Sequence, residues 1–215
     1  MSDLGKNIAV STYDETYIED GFVILKFNNK TIDNQLFKRE VNANFIQFHF
    51  CLKGSGLFSF NNGSYQLPLQ EENSLLLYNP QRDLPIEVSV NGYSWLLSVL
   101  LPIKKFHALF STEANYITFL SEENKGRKYY KDGMITPSMS IVLNQLINFN
   151  LHPSVKPLYF KGKIYELLSL YFNRPTDTNV EQCPFLVDEE NVAKIKKAKE
   201  IIIARMAEPP TLQQL

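Results

Sequence analysis

Histidine and cysteine are scarce in this chain. Three histidines (His49, His107, His152) and two cysteines (Cys51, Cys183) are spread over 215 residues. A three-histidine metal site would need all three from unrelated segments, and the cysteines have no metal-ligand spacing. No Gly-x-Ser-x-Gly elbow is present, and Gly54-Ser55-Gly56 lies between strand-like runs with no helix after it, which excludes a phosphate loop. No apolar run approaches membrane-spanning length, and the N-terminus MSDLGKNIAV lacks the basic–apolar–small order of a signal peptide. The expectation is a cytoplasmic protein with no membrane partner and no disulfide. A formal net charge of −1 supplies no global field for nucleic acid.

Apolar residues, by contrast, are plentiful. Hydrophobic side chains make up 44% and aromatics 13%, enough for a real core. The stretch Phe45–Pro80 holds short apolar runs at 45–52, 57–60, 65–69 and 75–78, each closed by Gly, Asn or Pro. Further runs at 22–27, 86–90 and 93–101 complete an all-β unit, the last two flanking an Asn91-Gly92 hairpin signal. Strands this short and regular predict a sandwich or barrel. Residues 1–20 read as a loose lead-in and 28–40 as irregular.

Helices follow. A short one is expected over 104–110, and another begins at Thr136-Pro137, with Met139, Val142, Leu143, Leu146 and Phe149 on one face. A third runs from about 154 to 173 with two apolar stripes. One is Phe160, Ile164, Leu167 and Tyr171; the other is Leu158, Tyr165, Leu168 and Phe172. Such a helix is either buried inside one subunit or shared with a partner copy. The segment 175–187 reads as a linker, and Asp188 caps a helix that ends at Glu208-Pro209-Pro210. Thr211 opens another, so the sequence is expected to stop inside a structural unit.

Val192–Leu215 (VAKIKKAKEIIIARMAEPPTLQQL) resembles the opening of the helix-turn-helix domain of AraC-type transcription regulators. Tyr165–Leu170 is similar to the late helix of that family's sensor domain. HFCLKGSG and SLLLYNP resemble its cupin-like barrel. The resemblance implies a mainly β fold, a cupin-like barrel (double-stranded β-helix) followed by a helical dimerisation segment. It divides the chain into a sensor barrel (1–110), a dimerising helical segment on it (111–174), the linker, and a truncated DNA-binding start (188–215). Implied partners are an unknown small-molecule effector, a second copy, and promoter DNA through the full-length protein only. Lys194–Lys199 would approach phosphates at most, or form a solvated helix face.

The same resemblance allows the alternative of a stand-alone cupin enzyme, or of a small-molecule-binding cupin with no DNA role, to be weighed. Aligned on Gly54, the metal-ligand positions of the cupin pattern fall on Glu40, Asn42 and Gln47, a poor donor set, so no metal, cofactor or catalytic residue is expected. Phe45, Gln47, His49 and Cys51 alternate onto one strand face, which the alignment makes the barrel interior, while Ile46, Phe48, Phe50 and Leu52 face the helices. Gln47, His49, Phe58, Phe60, Tyr78, Arg82 and Trp95 are the candidate ligand-binding residues. A packed interior with satisfied polar groups remains the other reading, and Arg82 either pairs an anion or is solvated. A His49–Cys51 dyad is weighed against a buried, inert thiol. Leu158, Tyr165, Leu168 and Phe172 are the candidate dimer face.

Overall fold

The computed structural model describes residues 13–19, 21–110 and 127–173. Its strands are β1 (Asp14–Glu19), β2 (Phe22–Asn28), β3 (Gln35–Arg39), β4 (Phe45–Lys53) and β5 (Ser55–Phe60), then β6 (Tyr65–Gln70), β7 (Asn73–Tyr78), β8 (Ile86–Val90), β9 (Trp95–Pro102) and β10 (Tyr129–Met134). Helix α1 (Ile103–Leu109) follows β9, and α2 (Pro137–Ile147) and α3 (Lys156–Phe172) follow β10. One antiparallel sheet has the order β1-β2-β9-β4-β7-β10, the other β3-β8-β5-β6. From β2 to β9 the chain alternates between sheets, except at the β5–β6 hairpin. This 2-9-4-7 over 3-8-5-6 interleaving is the jelly-roll order of a double-stranded β-helix. The fold is therefore mainly β, a cupin-like barrel carrying helices at its C-terminal side.

The larger sheet is apolar on both faces because each face meets its own core. On β4, Cys51 joins Val23, Leu25, Phe58, Leu75 and Leu100 inside the barrel, with Phe45 at its edge. Ile46, Phe48 and Phe50 point the other way, into a core shared with Phe106 of α1, Leu143 of α2 and Ile164 of α3. Period-two alternation thus divides one strand between two hydrophobic cores. Thr136 caps α2 by accepting from the Met139 N–H, and Pro137 stands at its first helical position.

Polar ties fasten the layers. Lys26 emerges on the helical face, where its Nζ donates to the Leu146 carbonyl at 2.8 Å and lies 5.1 Å from the Phe160 ring. Glu19 at the end of β1 receives Lys161 at 2.7 Å, Lys105 at 3.3 Å and the Tyr165 hydroxyl at 3.2 Å. At the far end of the barrel the buried Asn29 amide donates to the Asp33, Val90 and Asn91 carbonyls, and its oxygen accepts from Thr31.

Three expectations need correction. The lead-in contains β1, paired with β2, and the irregular 28–40 stretch contains β3, paired with β8. A third unanticipated strand, β10, borders β7. All three lie at sheet edges, where one neighbour suffices and the apolar alternation is weak. The linker expected over 175–187 and the helix-turn-helix start over 188–215 lie outside the described residues. No described helix is long and apolar enough to cross a membrane.

The second stripe of α3 is also corrected. Leu168 is 4% exposed and Phe172 8%, both inside the chain's own core. Phe172 packs edge-on to Phe48 at 6.0 Å, and Tyr165 stacks on Phe22 at 6.2 Å. Only Leu158, 74% exposed, stands clear. The sheet and α1 embrace α3 more widely than one stripe, so Leu168 and Phe172 pack in the chain's own core and Tyr165 is half-buried against Phe22. Accordingly, Leu168→Glu should destabilise the fold itself by at least about 3 kcal/mol, because it buries an uncompensated charge. Leu158→Glu should stay within about 0.5 kcal/mol of wild type. Denaturant melts of the two variants decide this; a Leu168→Glu protein as stable as wild type would contradict the packing.

Candidate functional site

A cavity of about 270 Å3 opens at the barrel mouth where β5, β6, β7 and β10 meet. Such a volume is just below the roughly 300–1,000 Å3 usual for ligand pockets. Its lining holds the apolar Phe60, Leu67 and Leu77 and the tyrosines Tyr65, Tyr78, Tyr129 and Tyr130. Arg82, Asp83 and Lys128 bring charge, and Asn61, Ser64 and Asn79 neutral polar groups.

Local sequence explains the rim. The β5–β6 hairpin turns through Asn61, Asn62 and Gly63, with φ of 50°, 54° and 82°. Asparagine and glycine tolerate this left-handed backbone best. The opposite lip, the loop after Tyr78, is pinned at successive residues. Asp83 Oδ1 accepts from the Ala43 N–H at 2.9 Å, and the Leu84 N–H donates to the Val41 carbonyl at 2.9 Å. The Leu84 carbonyl in turn accepts from Gln47 Nε2 at 2.7 Å. Asp83 is thus committed to a backbone turn, and Gln47 braces the wall from behind.

Below the mouth the barrel is filled. His49 is fully buried, shares a 2.6 Å hydrogen bond between Nδ1 and Ser98 Oγ, and packs tilted against Phe58 with ring centroids 4.4 Å apart. Burial alone depresses its pKa to about 3, so the ring is neutral across the physiological range. Among the described residues, Gln47 Oε1 and His49 Nε2 have no hydrogen-bond partner. Cys51 Sγ lies 3.4 Å from the Gly54 carbonyl, and burial pushes its thiol up to about 12. A neutral imidazole beside a protonated thiol does not make a thiolate nucleophile.

The sequence-derived candidates therefore fall into layers. Phe60, Tyr78 and Arg82 line the cavity; Gln47 stands behind its wall. His49 and Phe58 lie in the packed layer beneath. Trp95 is a correction: it begins β9 at the opposite end of the sheet, paired with Asn28 and Lys53, and lies 5.9 Å from the Lys53 ammonium. Of the cupin-pattern positions, Glu40 and Asn42 are exposed while Gln47 points inward, so the three do not converge. Among the described residues no group of three His, Cys, Asp or Glu side chains is placed to hold a metal.

Sequence reading missed Tyr65, Leu67, Leu77, Lys128, Tyr129 and Tyr130 as lining residues. The adjacent Tyr129-Tyr130 was a signal. On an edge strand one ring must face each side: Tyr130 packs against the barrel core and Tyr129 in the helix-side core, and both residues border the cavity. Burial raises the Tyr65 phenol, and burial with Asp132 nearby pushes Tyr130 up to about 12, so both hydroxyls remain donors.

No protein-family model matches the chain, and no curated protein matches it in sequence. Among solved structures it is similar to an RmlC-like cupin protein from Desulfovibrio desulfuricans, with 17% identity and a TM-score of 0.34 over 47% of this chain and 97% of that one. It is also similar to apo ToxT from Vibrio cholerae, with 15% identity and a TM-score of 0.44 over 85% of this chain and 66% of that one. A second ToxT crystal form gives 15% identity and a TM-score of 0.37 over 87% and 69%.

The buried imidazole makes stability depend on pH with a definite sign. Its folded pKa of about 3 lies below the ordinary 6.5, so below 6.5 the unfolded chain binds the proton and the folded one does not. The His49 contribution is fully present above pH 6.5 and is lost as pH falls toward 3, by about 1.4 kcal/mol per unit. Thermal melts of wild type and His49→Gln from pH 7.5 to 4.5 should therefore converge on acidification. Parallel curves would show that His49 takes up its proton in the folded state.

Proposed function

We propose that this chain is the effector-sensing region of an AraC-type transcription regulator, and that the barrel-mouth cavity receives the effector. The observation that carries this reading is a shared wall. Tyr78 and Tyr129 line the cavity, yet both belong to the core that packs α1, α2 and α3 against the larger sheet. They are paired directly across β7 and β10, and the Tyr129 phenol lies close enough to Tyr171 of α3 to act on its ionisation. A guest that shifts either residue from the cavity side repacks the helices, since a close-packed core answers a local shift by rearranging.

In this reading the helices present a C-terminal DNA-binding domain, and the resemblance of Val192–Leu215 to a helix-turn-helix opening supplies that output. DNA binding and pairing of two copies belong to the full-length regulator, where half-sites favour two reading heads. The stand-alone enzyme alternative gains nothing from the geometry, because the inward Gln47 lacks convergent partners and the His49–Cys51 pair is not activated.

A sensor binds its guest without changing it. Small molecules selected by their ability to raise the melting temperature should bind one per chain, by calorimetry, and be recovered chemically intact. Cells lacking the gene should lose a transcriptional response to the same molecule. Conversion of the bound molecule into a product would show that the cavity is an enzyme site.

A further inference from the structure

We infer that the cavity is built for a small, flat, aromatic anion; the inference rests on the sensing reading and specifies its ligand. The cavity has a sorted chemistry. Five aromatic residues line it, and of these Phe60, Tyr65 and Tyr130 pack against the barrel-side core, where their rings suit a planar apolar guest by offset stacking or edge contact. Its volume of about 270 Å3 matches a small guest.

The polar groups favour one sign of charge. Arg82 and Lys128 contribute two positive charges to the lining, against the single carboxylate of Asp83. Asp83 is turned to the Ala43 N–H, whose bond fixes the loop. The phenols of Tyr65 and Tyr130 add neutral hydroxyls able to donate. A guanidinium and an ammonium beside phenol donors match a carboxylate, which takes up bidentate or charge-assisted hydrogen bonds, and oppose an amine. Both cations also interact elsewhere in the protein, so the guest shares them rather than finding them idle. Tight fastening of the Arg82 loop through Asp83 and Leu84 holds its backbone ready, which lowers the ordering cost of binding.

The test compares isosteric probes of different charge on the purified chain: 2-naphthoate, 2-naphthamide and 2-naphthylmethylamine, titrated by calorimetry. Naphthoate should bind one per chain, at least tenfold tighter than the amide, with the amine weakest. Its affinity should fall as sodium chloride rises, while that of the amide should not. Arg82→Gln should weaken naphthoate tenfold or more and leave the amide unchanged. Lys128→Gln should act in the same direction. Ser64→Trp, which crowds the cavity from its exposed rim, should abolish binding of all three while the melt stays near wild type. Equal affinity for acid and amide, preference for the amine, or no binding of naphthoate overturns the anionic class. If the amide or amine binds there unchanged, the sensing reading survives without it. If naphthoate binds but is converted, the anionic class stands and the sensing reading falls.

Discussion

The structure depends on one constraint: the larger sheet must be apolar on both faces. A jelly-roll barrel ordinarily turns its outer faces to water, and a sheet so exposed alternates apolar with polar residues. Here the outer face of β2, β9, β4 and β7 is covered by helices, so Phe22, Ile24, Phe48, Phe50, Leu97 and Val99 are as buried as the barrel lining. Losing the helices would expose a large apolar face, and losing the barrel would leave the helices nothing to pack on. The helices and the outer face of the larger sheet for this reason share one hydrophobic core. Lys26, the one cation on the covered face of β2, is tolerated because its ammonium caps the Leu146 carbonyl near the end of α2. Even so, burial and the nearby Lys156 charge hold its pKa below the ordinary lysine range.

Inside the barrel a polar thread of Gln47, His49 and Ser98 interrupts the lining. Among the described residues it leaves Gln47 Oε1 and His49 Nε2 without partners, an arrangement that costs stability relative to an apolar layer. The gain is positional. Gln47 holds the Leu84 carbonyl and with it the loop bearing Arg82, while the His49–Ser98 bond locks β4 to β9 beneath. An apolar residue at 47 would fill the barrel equally well and release the cavity wall.

Central elements were legible in the sequence, and edges were not. β4 was readable because its Phe and Ile positions fall every second residue around polar ones, and Thr136-Pro137 because hydroxyl cap and proline act locally. β1, β3 and β10 carry few apolar residues; pairing with one neighbour forms them, and pairing is not written in local pattern. The cavity was half legible for the same reason. Phe60, Tyr78 and Arg82 sit at strand ends that turn signals locate, whereas Tyr129 and Tyr130 reach the mouth only because β10 adds beside β7. Trp95 was misplaced because composition marks a lone tryptophan as notable without saying which end of a strand it occupies. The double stripe on α3 was visible, but its second side closes on Phe22 and Phe48 of its own barrel.

What unites these observations is that the cavity wall and the helix core meet at Tyr78 and Tyr129. A perturbation confined to the smaller sheet should therefore be felt on the far side of the larger one. The most direct measurement is amide hydrogen exchange on a Tyr65→Trp variant, which adds bulk to the cavity from β6, an element absent from the helical core. The account predicts that exchange in α2 and α3 changes severalfold alongside that of the β5–β6 hairpin. A change confined to the hairpin and to the loop bearing Arg82, with α2 and α3 exchanging as in wild type, would contradict it.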